Sequence, residues 1–236
     1  MIGDSKQIRK SASEGEVEAF LRQVAKTPGH ATGGRGRLIF AMDATASRKP
    51  TWERAARIQA AMFSESAELG GLEIQLCYYS GVLGFECSPW YQKANALRTC
   101  MTGVTCTAGL SQIGRVLRHA EEESRRGRVN ALVFVGDCVE ENPDELAGLA
   151  GRLGLLGLPA FVFQEGADPG AEQSFRRIAR LSRGAYCRFD ASSPQVLRDL
   201  LSAVAVYAAG GRTALEHFGN ARGGEALRLV HQIVKA

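Results

Sequence analysis

The sequence predicts an α/β protein with a doubly wound, mostly parallel sheet, helices on both faces and one antiparallel edge strand. Short apolar segments that suit buried strands alternate with longer segments of helical period along most of the chain. One pair of strand-like segments is separated only by a short turn, which indicates a hairpin at a sheet edge. The length of 236 residues suits one large α/β domain and is short for two.

The N-terminal residues 1–36 are predicted to form a helix and a linker that precede the sheet. The segment from Ser13 to Ala25 has an apolar stripe at helical spacing and a serine suited to its cap. Glycine and basic residues dominate the segment from Thr27 to Arg37, which predicts a linker. The main domain is then predicted over 37–211, and residues 212–236 are predicted to form a helical tail.

The first half of the predicted domain runs from a central strand to an edge hairpin. Arg37–Asp43 is almost wholly apolar, as a strand covered on both faces should be. A helix is predicted from Thr51 to Leu69, followed by a glycine pair that ends it. Leu72–Ser80 predicts the second strand, and the following "GVLGFECS" predicts a turn and the edge strand. A further helix is predicted from Pro89, because proline suits a first helical turn.

The second half of the predicted domain alternates regularly between helices and strands. Its predicted elements are a helix over Gln112–Ser124, a strand over Val129–Asp137, a helix over 142–157, a strand over 158–166, a helix over 168–184, a strand over 185–190 and a helix over Ser193–Gly211. Strand–helix–strand units of this kind give parallel strands, and their functional crevice lies beyond the carboxyl ends of those strands.

Composition and charge exclude several classes of protein. Hydrophobic residues make up 45% of the chain, which excludes wholesale disorder, and no apolar run approaches the ~20 residues that span a bilayer. The net charge of +4 is mild and no basic tract is interleaved with aromatic residues, so neither nucleic acid nor a membrane is a predicted partner. The N-terminus lacks the apolar core of a secretory signal, and a cytoplasmic location is predicted.

The six cysteines predict a reduced compartment. None of them belongs to a C-x-x-C pair, which argues against zinc knuckles and thioredoxin-type sites. Cys77 lies within the apolar segment "IQLCYY", where a thiol behaves as a small hydrophobic side chain.

Two buried strands of the predicted sheet end on aspartates, Asp43 and Asp137. If these strands are neighbours, a spacing of ~4.8 Å brings the two carboxylates into one crevice, where a proton or a cation must separate them. Thr45 and Ser47 follow at alternate positions, and a hydroxyl of the later "TCTAGLSQ" segment is available to complete the set. All these groups are hard oxygen ligands, which suit Mg²⁺, Mn²⁺ or Ca²⁺. The simpler interpretation is a turn at Asp43 with Thr45 or Ser47 as a helix cap.

The segment "DATAS" resembles the D-x-[ST]-x-S start of the metal-ion-dependent adhesion site (MIDAS) of von Willebrand factor type A (VWA) domains. The resemblance runs from about Leu38 to about Tyr207 and points to an intracellular domain of the bacterial type. It implies a Rossmann-like VWA fold and bound Mg²⁺. The ligands that it implies are Asp43, Thr45, Ser47, Asp137 and Ser111, with Thr105 as the alternative to Ser111. Cys138 stands where the family commonly has glycine.

The resemblance also implies a function, namely a protein-binding module whose Mg²⁺ engages an acidic residue of a partner. Gln164 and Glu165 follow a strand of the same sheet and are predicted contacts on the rim of this site. An alternative is a Mg²⁺-dependent, phosphatase-like hydrolase that uses Asp43, but haloacid-dehalogenase-type enzymes need a second aspartate at the position of Thr45. A metal-free VWA scaffold is the other alternative. No nucleophile–base arrangement suggests itself, so the chain is not predicted to be an enzyme.

Overall fold

The computed structural model describes residues 35–67, 70–189 and 194–222, together with positions 19 and 23. The helix predicted from Ser13 to Ala25 and most of the predicted linker lie outside the described residues, as do residues 68–69, 190–193 and 223–236. Within the described ranges, no helix has both the length and the apolar character needed to cross a membrane.

The strands of the described residues form one six-stranded sheet in the order β3-β2-β1-β4-β5-β6. The strands are β1 Gly36–Asp43, β2 Leu72–Ser80, β3 Gly84–Tyr91, β4 Ala131–Gly136, β5 Ala160–Glu165 and β6 Ala185–Phe189. Every neighbouring pair is parallel except β2 and β3, which form an antiparallel hairpin at one edge. The predicted fold class is therefore confirmed.

Helices cover both faces of the sheet. They are α1 Lys49–Ile58, α2 Ala60–Ser66, α3 Ala94–Thr102, α4 Ile113–Arg126, α5 Pro143–Leu155, α6 Pro169–Leu181 and α7 Pro194–Arg222. The apolar residues of α1, α2, α3 and α7 pack on one face, and those of α4, α5 and α6 pack on the other. This division explains the apolar sequence of β1, since Phe40 faces one layer of helices and Ile39 faces the other, both fully buried.

The starts of α5 and α6 follow from local sequence. Each helix has proline in its first turn and an Asn or Asp before it. The Asn142 side chain accepts a hydrogen bond from the Asp144 amide at 2.9 Å, and the Asp168 side chain accepts one from the Ala171 amide at 2.6 Å. These caps satisfy amides that have no partner within the helix. They also fix the direction in which the chain leaves β4 and β5.

Several predicted boundaries differ from the structure. The strand predicted over Val129–Asp137 ends at Gly136, so Asp137 is the first residue after it. The helix predicted from Pro89 begins at Ala94, because Pro89 belongs to β3, and an edge strand tolerates a residue without an N–H donor. The helix predicted over Thr51–Leu69 begins earlier, at Lys49, and divides at Gln59. The predicted last helix extends past Gly211, but this glycine has a φ of 68°, so the helical path breaks there.

Candidate metal centre

The sheet topology brings Asp43 and Asp137 together. β1 and β4 are parallel neighbours, with Met42 opposite Val135, so the two aspartates leave the same edge of the sheet. A carboxylate oxygen of each aspartate and the Cys138 sulfur all lie within 4.8 Å of one another. The sequence analysis required the strands that carry the two aspartates to be neighbours, and β1 and β4 are neighbours.

Asp43 is held in place by its own loop. Its side chain is 1% exposed, and Oδ1 accepts a hydrogen bond from the Thr45 amide at 2.7 Å. Oδ2 is buried and has no hydrogen-bond partner within the described part of the chain. Burial and, to a smaller extent, the Asp137 charge raise the pKa of Asp43 to about 6, against the lowering effect of the hydrogen bonds from Thr45. Asp43 therefore presents one fixed oxygen and one oxygen with no partner.

The two loop hydroxyls connect the aspartates. Thr45 Oγ1 lies 3.3 Å from Ser47 Oγ, and Ser47 Oγ donates to Asp137 Oδ2 at 3.4 Å. Neither hydroxyl serves as the helix cap that the simpler interpretation expected: Thr45 makes no side-chain capping bond to the short 3₁₀ turn over Ala46–Arg48, and Ser47 lies inside that turn. The hydroxyls instead face the cluster.

The donor set fits a small divalent cation. Asp137 Oδ1, like Asp43 Oδ2, is buried without a hydrogen-bond partner among the described residues. Two unpartnered carboxylate oxygens beside two hydroxyls form an all-oxygen set, which Mg²⁺ prefers. A cation would also relieve the repulsion between the carboxylates.

Arg48 is a component of this site that the sequence did not predict. Its side chain is 3% exposed, and Nη1 lies 3.8 Å from Asp137 Oδ2. The same nitrogen pairs with Glu165, whose carboxylate also accepts the Thr51 hydroxyl. A buried arginine needs such acidic partners, so the chain supplies one positive charge of its own to the carboxylates. The sequence indicates this role only by placing Arg48 directly after Ser47.

Ser111 lies in the connection between α3 and α4 and is bonded to the loop that follows β4. Its hydroxyl accepts a hydrogen bond from the Glu140 amide at 2.9 Å, and its own amide donates to Glu140 Oε2 at 2.5 Å. Thr105, the alternative ligand, is exposed in the same connection. Hydrogen bonds connect the four other predicted ligands, Asp43, Thr45, Ser47 and Asp137, to one another. Those of Ser111 instead run to Glu140 in the loop after β4. The role of Ser111 as a ligand stays a prediction.

Thr107 and Glu141 hold the surrounding loops and were missed by the sequence analysis. The Thr107 amide donates to the Ala44 carbonyl at 3.1 Å, which ties the α3–α4 connection to the end of β1. The Glu141 carboxylate accepts the amides of Ile113 at 2.5 Å and Gly114 at 2.8 Å. It thus caps α4 and fixes the loop that carries Asp137.

The two predicted rim residues lie in different environments. Gln164 is 0% exposed; its amide nitrogen donates to the Asp168 carbonyl at 2.9 Å, and its oxygen accepts the Tyr186 hydroxyl at 2.6 Å. A surface contact does not fit this arrangement, because both ends of the amide are used inside the protein. Glu165 is partly exposed beside Arg48, and its contact with a partner stays a prediction.

Cys138 follows Asp137 and places its sulfur within 4.8 Å of a carboxylate oxygen of each aspartate. Burial and, to a smaller extent, the neighbouring Asp137 carboxylate together raise the pKa of this thiol to about 12. Without a bound metal, the thiol therefore stays protonated at neutral pH.

Comparison with known proteins relates this fold to one class of domain. No protein-family model matches the sequence, and comparison with curated proteins gives no match. The fold is similar to that of a von Willebrand factor type A protein from Catenulispora acidiphila, with a TM-score of 0.57 and 17% identity over 73% of this chain and 43% of that one. The VWA domain of SpRpn10 aligns with a TM-score of 0.55 and 13% identity, over 71% of this chain and 94% of that one.

A third similar structure contains a bound metal. Proximal thread matrix protein 1 from the mussel byssus, with a zinc-occupied MIDAS motif, aligns with a TM-score of 0.56 and 12% identity, over 73% of this chain and 46% of that one. This chain thus spans less than half of the Catenulispora and mussel chains. The chain has the von Willebrand factor type A fold.

Proposed function

We propose that this domain is a metal-dependent protein-binding module in which Asp43, Thr45, Ser47 and Asp137 hold Mg²⁺, with Ser111, or alternatively Thr105, completing the set. The convergence of two unpartnered carboxylate oxygens and two hydroxyls at one edge of the sheet carries the proposal. The zinc-occupied MIDAS motif of the mussel protein, on the same fold, supports it. Mn²⁺ has the same ligand preferences and is a suitable probe.

Bound Mg²⁺ would supply a positive charge with an open position for a carboxylate of the partner. The residues of the chain determine where that position lies. The Thr45 amide orients Asp43, and the Glu141 caps hold the Asp137 loop against α4. These fixed contacts let the site bind without a large rearrangement, which lowers the entropic cost of association.

An exposed apolar rim beside the site would contribute further affinity. Val82 is 65% exposed and Leu83 is 81% exposed in the turn after β2, and Leu110 is 52% exposed in the α3–α4 connection. This connection is bonded to the same turn, since the Gly81 amide donates to the Thr107 carbonyl at 3.3 Å. The rim therefore lies at the edge of the sheet where β1 ends. It fits a partner segment with apolar residues next to its acidic residue.

Arg48 favours a second candidate function, a VWA scaffold that binds its partner without a metal. Its guanidinium already balances part of the charge of Asp137 and Glu165. If that balance is sufficient, the apolar rim alone would carry the interaction. The two functions differ in one measurable property, the requirement for a divalent cation.

The first experiment measures Mg²⁺ and Mn²⁺ binding to the full chain by calorimetry. We expect one site in the wild type and at least roughly tenfold weaker binding in Asp43→Asn, since one charged ligand is lost. Asp144→Asn is the matched control, because the Asp144 side chain is 84% exposed and pairs only with Arg177 among the described contacts. Equal binding by the wild type and Asp43→Asn would contradict the metal site.

The second experiment captures partners with and without EDTA. Capture should depend on the cation, be lost in Asp43→Asn and be weakened in Leu83→Ser. Leu155→Ser is the control, because Leu155 is 84% exposed at the end of α5, away from the rim. Undiminished capture in EDTA favours the metal-free scaffold. Mg²⁺-dependent phosphatase turnover that Asp43→Asn abolishes would instead support the hydrolase.

A further inference from the structure

The edge hairpin places two cysteines directly opposite each other. The antiparallel register of β2 and β3 pairs Ser80 with Gly84 next to the turn and Cys77 with Cys87 three positions further in. Side chains of opposed residues project from the same face of the sheet, with Cβ atoms about 4.5–5.5 Å apart. Both thiols are free.

Helix α4 adds an imidazole to this pair. The sulfurs of Cys77 and Cys87 and a ring nitrogen of His119 all lie within 4.8 Å of one another. Cys77 is fully buried, whereas Cys87 and His119 are half-buried. The cluster is therefore anchored in the core on one side and accessible to solvent on the other.

A buried amide orients the imidazole. Gln75 is 6% exposed, and its Oε1 lies 2.8 Å from His119 Nε2. The Gln75 amide nitrogen donates to the Ser88 carbonyl at 3.0 Å, which fixes Oε1 as the end that faces the histidine. When the neutral imidazole donates from Nε2 to this oxygen, Nδ1 is the nitrogen left to bind a metal. Metal-binding histidines commonly have such a carbonyl partner on the second ring nitrogen.

The cluster already favours one thiolate. The hydrogen bond from Cys77 and the neighbouring His119 together lower the pKa of Cys87 to about 6, against the effect of burial. The pKa of Cys77 is raised by its burial and by the negative charge on Cys87, so Cys77 keeps its proton. A thiolate is the form that binds metals, and a bound cation would release the second proton as well.

We propose that Cys77, Cys87 and His119 form a site for a thiophilic d¹⁰ cation, with Zn²⁺ as the ion to test. Two sulfurs and one imidazole nitrogen are a known ligand combination for Zn²⁺, with the fourth tetrahedral position left to water or another ligand. The solvent-facing side of Cys87 and His119 provides that position. This site is separate from the oxygen cluster and does not depend on the proposed function.

The experiment loads the reduced, metal-free full chain with Co²⁺, which reports on sulfur ligands by thiolate-to-metal charge-transfer absorption. We expect one equivalent of Co²⁺ to give this absorption and Zn²⁺ to abolish it by displacement. Cys87→Ser should lose the absorption, whereas Cys100→Ser, at a cysteine of similar partial burial outside the cluster, should keep it. Asp43→Asn should also keep it, which separates this site from oxygen ligands.

A positioning role for Gln75 gives a second measurement. Gln75→Leu should keep the charge-transfer absorption but weaken Co²⁺ affinity by roughly 10- to 100-fold, the usual cost of losing a hydrogen-bond partner of a ligating histidine. If Cys87→Ser does not fold, a second measurement on the wild type replaces that variant. Bound Zn²⁺ should protect Cys87 from alkylation by iodoacetamide, and mass spectrometry measures this protection. Absorption that survives in Cys87→Ser, no thiolate absorption in the wild type, or no Zn²⁺ protection would each overturn the proposal.

Discussion

The oxygen cluster around Asp43 and the thiol–imidazole cluster around Cys87 give opposite protonation states to cysteines of similar exposure. In the oxygen cluster, burial and Asp137 raise the pKa of Cys138 to about 12. In the thiol–imidazole cluster, hydrogen bonds from Cys77 and His119 lower the pKa of Cys87 to about 6. Burial raises the pKa of both thiols, so the hydrogen bonds that Cys87 receives, and not a difference in burial, account for its lower pKa.

Helix α4 connects the two clusters. Its first turn is capped by Glu141 from the Asp137 loop, and His119 lies further along the same helix. One element therefore positions both the proposed hard-ligand site and the proposed soft-ligand site, whose ligands differ in the cations that they prefer. Four predictions test this difference, from the largest expected effect to the smallest.

Arg48→Met should give the largest change, because it removes the charge that the chain supplies to the oxygen cluster. In EDTA we expect the free energy of unfolding to fall by about 3–5 kcal/mol, the usual cost of leaving a buried partner uncompensated. Mg²⁺ should restore part of this loss, and the Co²⁺–thiolate absorption should not change. Denaturant titrations with and without Mg²⁺ provide the measurement.

Arg177→Met is the control for that variant. Arg177 pairs with Asp144 at 2.7 Å, and the two side chains are 41% and 84% exposed. Exposed ion pairs contribute about 0–1 kcal/mol, so the loss should be much smaller. An equal loss in both variants would show that Arg48 is not a special counter-charge.

Cys87 and Cys138, which are both half-buried, should differ in their rate of alkylation. At pH 7, Cys87 should react roughly a hundredfold faster than Cys138, because its larger thiolate fraction outweighs its weaker intrinsic nucleophilicity. The rate at Cys87 should fall about tenfold per pH unit below its pKa of about 6, where the thiolate becomes protonated. Peptide mass spectrometry after brief iodoacetamide treatment at several pH values measures both rates. Similar rates at the two thiols would remove the contrast between the clusters.

Glu141→Ala should weaken the connection between α4 and the oxygen cluster. It leaves the amides of Ile113 and Gly114 without their acceptor, and we expect a loss of about 1–2 kcal/mol in unfolding free energy. Mg²⁺ affinity should fall with it, because the Asp137 loop loses its support, while Co²⁺ binding at the thiols should change less. Glu145→Ala, at an exposed residue of α5, is the control. Unchanged Mg²⁺ affinity in Glu141→Ala would contradict this role.

Ser111→Ala should have the smallest effect on stability. It also tests whether Ser111 or Thr105 is the fifth Mg²⁺ ligand. The Glu140 amide loses its acceptor, at a cost of about 1 kcal/mol. If Ser111 also binds Mg²⁺, calorimetry should show weaker Mg²⁺ binding than in the wild type, and Thr105→Ala should bind normally. The reverse result would assign the ligand to Thr105 and leave Ser111 as a residue that holds the Glu140 loop.

The patterns in the sequence fix the order of the elements, because burial between two helical layers requires apolar strands and amphipathic helices. They also point to the hydroxyls of "DATAS", since these residues are adjacent along the chain and their spacing is visible. Where a predicted boundary is wrong, the cause is local. Pro89 suits both an edge strand and a helix start, and only the pairing of β3 with β2 decides between them.

The sequence by itself determined the fold class and the part of the oxygen cluster that lies in "DATAS", namely Asp43, Thr45 and Ser47. Only the tertiary structure decided that Arg48 turns inward to Glu165, that Gln164 is buried beneath Tyr186, and that His119 lies over the hairpin cysteines. The pairing of Cys77 with Cys87 follows directly from the hairpin register. Cys77 lies three positions before Ser80, Cys87 lies three positions after Gly84, and Ser80 and Gly84 pair next to the turn. The position of His119 could not follow in this way, since it depends on how α4 packs across the sheet. Local patterns record only neighbours along the chain, whereas the charge and ligand environment of a side chain is set by neighbours in space.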